Sequence, residues 1–291
     1  MDTATPATIP NRANIFSWHF MPWPYLDESF EENYESGWVT VPNSLFDTDK
    51  ARGLYQEYLD ELSYADELEF DGVVLNEHHQ NIYGLMPSPN LLAAALTQTT
   101  KNGKIVVLGN LIPLQFRPLR VAEEYAMLDC MSDGRVVAGF APGGGHEPYS
   151  YSYSMPLARE RFWEGVDLIV QAWTEPGPTT FDGKHYTMRY VNPWPQPLQK
   201  PHPPIWIPGS NSPETMYEVA NREFCYFLST RGKLAGAKRS AVRFSEIVEE
   251  VGKEFHPHKM GLLFSVYVAE TDEIARKECE EAVFYLTRYC L

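Results

Sequence analysis

From residue 15 onward, the sequence alternates short apolar runs with longer segments in which apolar residues recur every three or four positions. This alternation is typical of parallel strands connected by helices, because each parallel pair needs a crossover connection. A chain of 291 residues, 44% apolar, is long enough for one α/β barrel. We therefore predict a TIM (β/α)8-type barrel, as one domain over residues 1–291. The predicted strands lie at residues 15–20, 73–75, 104–108, 135–140, 205–207, 225–228 and 262–268.

Helical spacing is found between these strands. The predicted helices cover residues 49–65, 89–100, 118–131 and 158–174, a stretch from 212, residues 244–251, and a last segment that Thr271 caps. Residues 175–203, rich in proline and aromatic side chains, are predicted to be a loop insertion. Seven strands leave an eight-stranded barrel one strand and one helix short at its carboxyl end, with unpaired backbone groups at the edge. We expect a truncated chain; the alternative is a gap covered by another element or another chain.

The net charge of −15 is concentrated in the first third of the chain. Residues 1–100 carry 16 acidic and three basic residues, whereas residues 101–291 carry 23 and 21. An acidic surface repels phosphate backbones, which argues against nucleic-acid binding. We interpret the acidic third as a solvated face, with docking to a basic partner as the alternative.

Several features predict a cytoplasmic protein without a membrane anchor. The sequence has no run of 18 apolar residues, as a membrane span would require. Residues 1–14 lack the basic and apolar regions of a secretion signal. The four cysteines show no spacing typical of a disulfide framework or a metal site.

Polar or glycine-rich clusters follow five of the predicted strands. Because the carboxyl ends of parallel strands meet at one face of a barrel, and this face carries the active site, we expect the clusters to lie together. The clusters are Trp18-His19, Asn76-Glu77-His78-His79, Gly109-Asn110, Gly143 to His146, and Gly209-Ser210.

The Glu-His-His run is the most conspicuous of these clusters. Histidine titrates near neutral pH, which suits proton transfer. The alternative is that one histidine caps a helix or bonds a backbone carbonyl. A metal would need a third ligand, from His19, His146 or His185, but no metal spacing motif is present, so we predict no metal site.

Two features are typical of a phosphate site. Gly209 and Ser210 precede a predicted helix, whose first N–H groups bind anions; the alternative is that Ser210 or Ser212 is an ordinary N-cap. Arg120 lies in the first turn of another helix, where the dipole disfavours a cation unless an anion is bound nearby. The alternative for Arg120 is a surface pair with Glu123 or Glu124.

Five segments, in this order, resemble the bacterial luciferase-like flavin monooxygenases over residues 50 to 270. They are FDGVVLNEHH, NLLAAALTQTT, KIVVLGN, RPLRVAEEYAMLDCMSDGRV and PHPPIWIPGS. The resemblance implies a TIM barrel that uses reduced FMN from a separate flavin reductase, as a two-component system. It also implies a homo-oligomer that pairs through the early helices.

By position, the resemblance implies that His78 is a catalytic base or a stabiliser of a flavin hydroperoxide. It implies that Arg120 and Gly209-Ser210 contact the FMN phosphate, and that the Gly109–Asn110 peptide bond is cis behind the flavin ring. A threonine of the family's phosphate loop is replaced near Pro213. We assign catalysis to His78, Glu77 and Asn110, and cofactor binding to Asn76, Gly109, Asn110, Arg120, Gly143, Gly209 and Ser210. Regions without a firm family counterpart supply the predicted substrate pocket: Trp18, His19, His146 and Tyr149.

These assignments predict an FMN-dependent monooxygenase that uses dioxygen to oxygenate a small, neutral apolar or aromatic substrate. One alternative is a deazaflavin-dependent hydride-transfer enzyme on the same fold. Another is a non-catalytic flavin-binding subunit, although the presence of His78 and Arg120 argues against it.

Overall fold

Seven parallel strands form the central sheet of the computed structural model, which describes residues 12–27, 29–144, 146–229, 234–285 and 288. Numbered along the chain, they are β1 (Phe16–Trp18), β2 (Gly72–Leu75), β3 (Lys104–Leu111), β4 (Val136–Ala141), β7 (Ile205–Gly209), β8 (Cys225–Ser229) and β9 (Met260–Leu263). Each pairs in parallel with the next. The curled sheet confirms the predicted barrel-type α/β fold. Among the described residues, β1 and β9 are edge strands that do not pair with each other.

Helices connect the strands as the sequence predicts. The longer ones are α2 (Leu54–Glu67), α3 (Pro89–Thr99), α4 (Leu119–Met131), α6 (Met155–Thr174), α7 (Pro213–Asn221), α8 (Leu234–Glu250) and α9 (Asp272–Tyr285). Two short helices were not predicted, α1 (Phe30–Asn33) and α5 (Glu147–Ser150). Thr271 caps α9 as predicted, because its hydroxyl accepts the Ile274 N–H at 3.2 Å.

The core lies on both sides of the sheet, because side chains alternate along each strand. Val73 and Leu75 of β2 pack in a large cluster together with buried residues of the helices. Val74 of β2 and Val106 of β3 face the other way, into a smaller cluster that also holds Phe227. Burial on both faces explains why these strands appear in the sequence as continuous apolar runs.

The last strand and the preceding helix differ from the prediction. β9 ends at Leu263, the partner of Ser229 in β8, and no described strand lies beside residues 264–268; Val266 is 78% exposed. α8 begins at Leu234 and not at residue 244, because Ala237 and Phe244 lie on one buried face.

Residues 175–203 contain an antiparallel hairpin where a loop was predicted. It consists of β5 (Thr179–Asp182) and β6 (Thr187–Val191). β-Branched and aromatic residues flank the turn at Gly183, whose N–H bonds the Tyr186 carbonyl at 2.9 Å.

In the part of the chain that the structure describes, no helix is long and apolar enough to cross a membrane. The thiols of Cys130, Cys225 and Cys279 are free. Cys290 lies outside the described residues.

Candidate active site

Glu77 joins the carboxyl ends of β2 and β3. Its Oε2 accepts the Asn110 side-chain amide at 2.9 Å and the Leu111 backbone N–H at 3.1 Å. Its Oε1 lies 2.8 Å from Nε2 of His79. Glu77, His79 and Asn110 are all buried. The structure therefore brings the predicted catalytic residues Glu77 and Asn110 together, as partners of one another.

His79 is held through both ring nitrogens. Because an ionised carboxylate only accepts hydrogen bonds, the proton of the neutral ring lies on Nε2, facing Glu77. Nδ1 lies 2.9 Å from the Tyr151 hydroxyl, which therefore donates to it. With both nitrogens engaged, His79 belongs to the framework of the site.

His78 has a different partner, Glu147 of α5. Nδ1 of His78 lies 3.0 Å from Oε1 of Glu147, and Oε2 of Glu147 accepts the Gly144 N–H at 3.1 Å. The Glu147 side chain is 3% exposed and that of His78 is 21% exposed. Burial raises the pKa of the Glu147 carboxyl, but the His78 hydrogen bond, the nearby His146 and the Gly144 N–H outweigh it. The pKa of Glu147 is therefore lowered, and the carboxylate is the form present at neutral pH.

His146 lies beside this pair and is oriented by Asn81. Oδ1 of Asn81 accepts the N–H groups of Tyr83 and Gly84, so its amide nitrogen points to His146 Nε2, 2.8 Å away. Nε2 also lies 3.1 Å from the His79 backbone carbonyl, so this nitrogen has both a possible donor and a possible acceptor beside it. Burial lowers the pKa of His146 although Glu147 opposes the shift, which agrees with a neutral ring.

His78, His146 and Glu147 offer three possible metal ligands within 4.8 Å of one another. The structure thus supplies the third group that sequence spacing did not reveal. However, the Asn81 amide already bonds His146 Nε2, and a metal would have to displace it. The absence of a metal stays a prediction.

Aromatic rings cover the histidines. The Trp38 ring centroid lies 4.2 Å from that of His146, 4.3 Å from that of Tyr83 and 5.2 Å from that of His78. Trp38, Asn81 and Glu147 were not predicted as site residues. Glu147 directly follows the predicted residue His146, but its contact with His78 spans 69 positions and has no local signature.

Buried polar atoms without partners mark the ends of three adjacent strands. Among the described residues, neither amide atom of Asn76 forms a hydrogen bond, nor do Oδ1 of Asn110 and Nε1 of Trp18. An unpaired buried polar group typically costs about 1–3 kcal/mol. Their common location at the carboxyl ends of β1, β2 and β3 fits a polar ligand that would complete their hydrogen bonds.

A cis peptide bond that does not precede proline joins Leu108 and Gly109, so the predicted position, Gly109–Asn110, was wrong by one residue. Leu108 keeps its side chain in the smaller core cluster, while a side chain at Gly109 would collide with the backbone of Gly139. A side chain at Gly143, where φ is +79°, would collide with the Tyr153 hydroxyl.

The predicted phosphate residues lie at the surface. A side chain at Gly209 would collide with the Tyr226 ring, and Ser210 is exposed. Ser212 is the N-cap of α7, since its hydroxyl accepts the Thr215 N–H at 3.4 Å. The ordinary N-cap is therefore confirmed for Ser212, and the role of Ser210 stays a prediction.

Arg120 forms the surface pair that was its alternative interpretation. Its side chain is 73% exposed, and Nε donates to Oε1 of Glu124 at 2.7 Å. Oε2 of Glu124 accepts the Asn90 amide at 2.7 Å. A phosphate contact by Arg120 stays a prediction.

The four predicted substrate-pocket residues have different surroundings. His19 Nδ1 accepts the Met21 N–H at 2.9 Å and Nε2 lies 2.8 Å from Glu61, so neither nitrogen is left for a substrate. His146 lies inside the network with Asn81. Tyr149 is 77% exposed. Trp18, with its unpaired indole N–H, is the one whose setting fits a ligand.

Two cavities lie elsewhere, where β7, β8 and β9 begin. They measure about 250 and 600 Å³, and Phe224, His256 and Lys259 line both. In parallel barrels this end serves stability, whereas the active site occupies the opposite face.

A protein-family model of the luciferase-like monooxygenases matches residues 35–289. The chain belongs to the luciferase-like monooxygenase family, as the resemblance predicted.

Two relatives of this chain differ in the cofactor that their names give. The chain is 28% identical over 249 residues to the oxygenase component of the flavin-dependent trigonelline monooxygenase of Acinetobacter baylyi, covering 82% of this chain and 66% of that protein. It is 29% identical over 178 residues to an F420-dependent glucose-6-phosphate dehydrogenase of Kineococcus radiotolerans, covering 58% of this chain and 50% of that protein. The chain therefore spans 66% or less of the length of these relatives.

Solved structures share the fold. The monooxygenase RslO1 of Streptomyces bottropensis matches with a TM-score of 0.78 and 23% identity, over 94% of this chain and 78% of that chain. The oxygenating constituent of 3,6-diketocamphane monooxygenase of Pseudomonas putida, in complex with FMN, matches with a TM-score of 0.70 and 24% identity. That match covers 82% of this chain and 69% of the other.

Proposed function

We propose that this protein is an FMN-dependent monooxygenase that uses reduced FMN and dioxygen to oxygenate a small organic substrate. The observation that carries the proposal is the set of unpaired buried polar atoms on Asn76, Asn110 and Trp18. They lie at the ends of adjacent strands, on the face where barrel enzymes bind their ligands. The edge of a flavin ring offers both donors and acceptors, which such groups need. Family membership supports the same conclusion.

Residues at two places would hold the cofactor. Asn76, Gly109 and Asn110 would contact the ring, whereas Arg120 and Gly209-Ser210 would contact the phosphate. Arg120 is exposed and bonded only to Glu124 among the described residues, so it can turn to an anion at little cost. Reduced FMN, delivered by a separate reductase, would supply the electrons by which one oxygen atom of dioxygen enters the substrate and the other leaves as water.

The protein's own contribution would be proton handling and exclusion of water. No described residue bonds His78 Nε2, so this nitrogen is free to take or give a proton. Trp38 and Tyr83 cover the histidine and keep water away. The buried carboxylates of Glu77 and Glu147 disfavour an anionic substrate, which supports a neutral apolar or aromatic one.

The decisive experiment measures oxygen transfer from labelled dioxygen. Purified protein with FMN, a flavin reductase and NAD(P)H should incorporate oxygen-18 from the gas into a member of a panel of aromatic and apolar compounds. The His78→Asn variant should lose about 10²-fold or more of this product while binding reduced FMN normally. The matched control is His185→Asn, because His185 pairs with the exposed Glu160 elsewhere. Full product formation by His78→Asn would remove His78 from the mechanism.

A second candidate is deazaflavin-dependent hydride transfer, which the F420-dependent relative favours. Anaerobic substrate oxidation with F420, together with no oxygen transfer with FMN, would establish it in place of monooxygenation.

A further inference from the structure

We propose that Glu147 is a positioning residue that fixes the proton of neutral His78 on Nδ1 and thereby leaves Nε2 as the nitrogen offered to the active site. The catalytic meaning of this arrangement rests on the proposed function. The position of the proton does not, because it follows from hydrogen bonds within the protein.

The first step is the contact between the two residues. Nδ1 of His78 lies 3.0 Å from Oε1 of Glu147, and the carboxylate can only accept. Glu147 is buried, and no Lys or Arg pairs with it among the described residues. The N–H group at His78 Nδ1 is therefore the hydrogen-bond donor to this carboxylate oxygen.

The second step excludes His146 as a competing donor. Its Nε2 lies 3.5 Å from the same Oε1, beyond the length of a good N–H···O bond. Nε2 lies closer to two other groups, the Asn81 amide nitrogen at 2.8 Å and the His79 backbone carbonyl at 3.1 Å. A proton on His146 Nε2 would therefore be donated to the nearer His79 carbonyl and not to Glu147.

The third step compares His78 with its neighbour. Glu77 bonds Nε2 of His79, whereas Glu147 bonds Nδ1 of His78. The two adjacent rings therefore carry their protons on opposite nitrogens. In His79 the remaining nitrogen is taken by Tyr151, but in His78 no described residue takes it. Only His78 keeps a lone pair available, and the tautomer that exposes it is set by the hydrogen bond on the other nitrogen.

The Glu147→Gln variant gives a specific test, because the Gly144 N–H decides how the new amide is oriented. The amide oxygen should remain on the Gly144 N–H, which places the NH2 group opposite His78 Nδ1. Nδ1 then becomes an acceptor, and the proton of the neutral ring moves to Nε2. The variant should reverse the tautomer of His78 without a change of side-chain size.

Nitrogen NMR of flavin-free protein labelled with 15N-histidine reports the protonated nitrogen directly. At a pH where the rings are neutral, wild-type His78 should show a protonated Nδ1, and Glu147→Gln should show a protonated Nε2. His79 should keep its proton on Nε2 in both proteins and serves as an internal control. Glu160→Gln, which alters the exposed carboxylate beside His185, should leave the His78 signals unchanged.

Turnover then separates this proposal from the proposed function. With reduced FMN and dioxygen, Glu147→Gln should form product on the order of 10²-fold more slowly, with unchanged FMN affinity, because the wrong tautomer removes the base. A wild-type His78 protonated on Nε2, or no change of tautomer in Glu147→Gln, would overturn the positioning role, and the wild-type measurement needs no variant to fold. A reversed tautomer in a protein that never transfers oxygen would uphold the positioning role and overturn only monooxygenation.

Discussion

Asn110 donates its side-chain amide to Glu77 at 2.9 Å and so connects the carboxyl ends of β3 and β2 inside the core. The Leu111 N–H and the His79 ring share the same carboxylate. Glu77 was predicted to be catalytic, but its oxygens are occupied by these partners. A catalytic role for Glu77 itself stays a prediction.

Replacement of Glu77 by alanine should destabilise the fold. Asn110 and His79 would lose a buried acceptor, so we expect the free energy of unfolding to fall by about 3 kcal/mol or more. Urea denaturation of flavin-free protein measures this loss. Glu160→Ala, at an exposed ion pair, is the control and should have a much smaller effect. Equal losses in both variants would contradict the role given to Glu77.

Replacement of Asn76 by leucine should stabilise the flavin-free protein and weaken the binding of the cofactor. Because both of its amide atoms are buried without partners, Asn76→Leu should raise the free energy of unfolding of the flavin-free protein by about 1 kcal/mol. The same variant should weaken binding of reduced FMN about tenfold, which equals about 1.4 kcal/mol. Urea denaturation and anaerobic flavin titration measure the two effects.

Asn110→Leu is the matched comparison for Asn76→Leu. Its amide nitrogen is bonded to Glu77, so this variant should lose about 1–3 kcal/mol of stability. If Asn76→Leu were destabilised to the same extent, Asn76 would have a partner in solution and the argument for a ligand at this position would fail.

The strands and the polar clusters at their ends were predictable because they depend on topology. Burial on both faces makes β2 a continuous apolar run, and parallel strands bring their carboxyl ends to one face. The contacts between clusters were not predictable. Asn81, His146 and Glu147 act through loop geometry and through pairs that are more than 60 positions apart, for which periodicity carries no information.

Replacement of Arg120 should weaken the binding of FMN but not that of riboflavin. If Arg120 binds the phosphate, Arg120→Gln should weaken FMN binding about tenfold and leave riboflavin binding unchanged, because only FMN carries the anion. Stability should change little, since the pair with Glu124 is exposed. Arg243→Gln, at a surface pair on α8, is the control. Equal weakening of both flavins would place Arg120 outside the phosphate site.

The stability of the protein should decrease as the pH falls below 6.5. Burial lowers the pKa of His146 and of His19 from their ordinary value of 6.5. Below that pH the unfolded chain binds protons that the folded protein does not, so stability is fully present above pH 6.5 and is lost toward the lowered folded pKa. Each histidine contributes a slope of up to about 1.4 kcal/mol per pH unit.

Urea denaturation at several pH values between 7.5 and 5.0 tests this slope. His146→Gln should reduce it, and His185→Gln, which alters a histidine outside this network, should not. An unchanged slope in His146→Gln would contradict the lowered pKa of His146 in the folded protein.

Sequence periodicity also predicted the wrong length for the last strand, β9. The last described pair between β8 and β9 joins Ser229 and Leu263, and β9 ends there. The apolar residues 264–268 extend the strand pattern in sequence, but no described strand lies beside them. In contrast, the hairpin of β5 and β6 had a local signal, an Asp-Gly turn between β-branched and aromatic residues.

The opposite proton positions of His78 and His79 restrict how this segment can change in length. Loops generally accept insertions and deletions. Removing Asn76 would move Glu77, His78 and His79 back by one position each, so that His79 would stand where His78 now contacts Glu147, and Gln80 would stand where His79 now lies. Both histidines would still be present in the sequence, yet neither would have its present partner. In relatives of this protein, the number of residues between the second strand and the histidine pair therefore carries as much functional information as the histidines themselves.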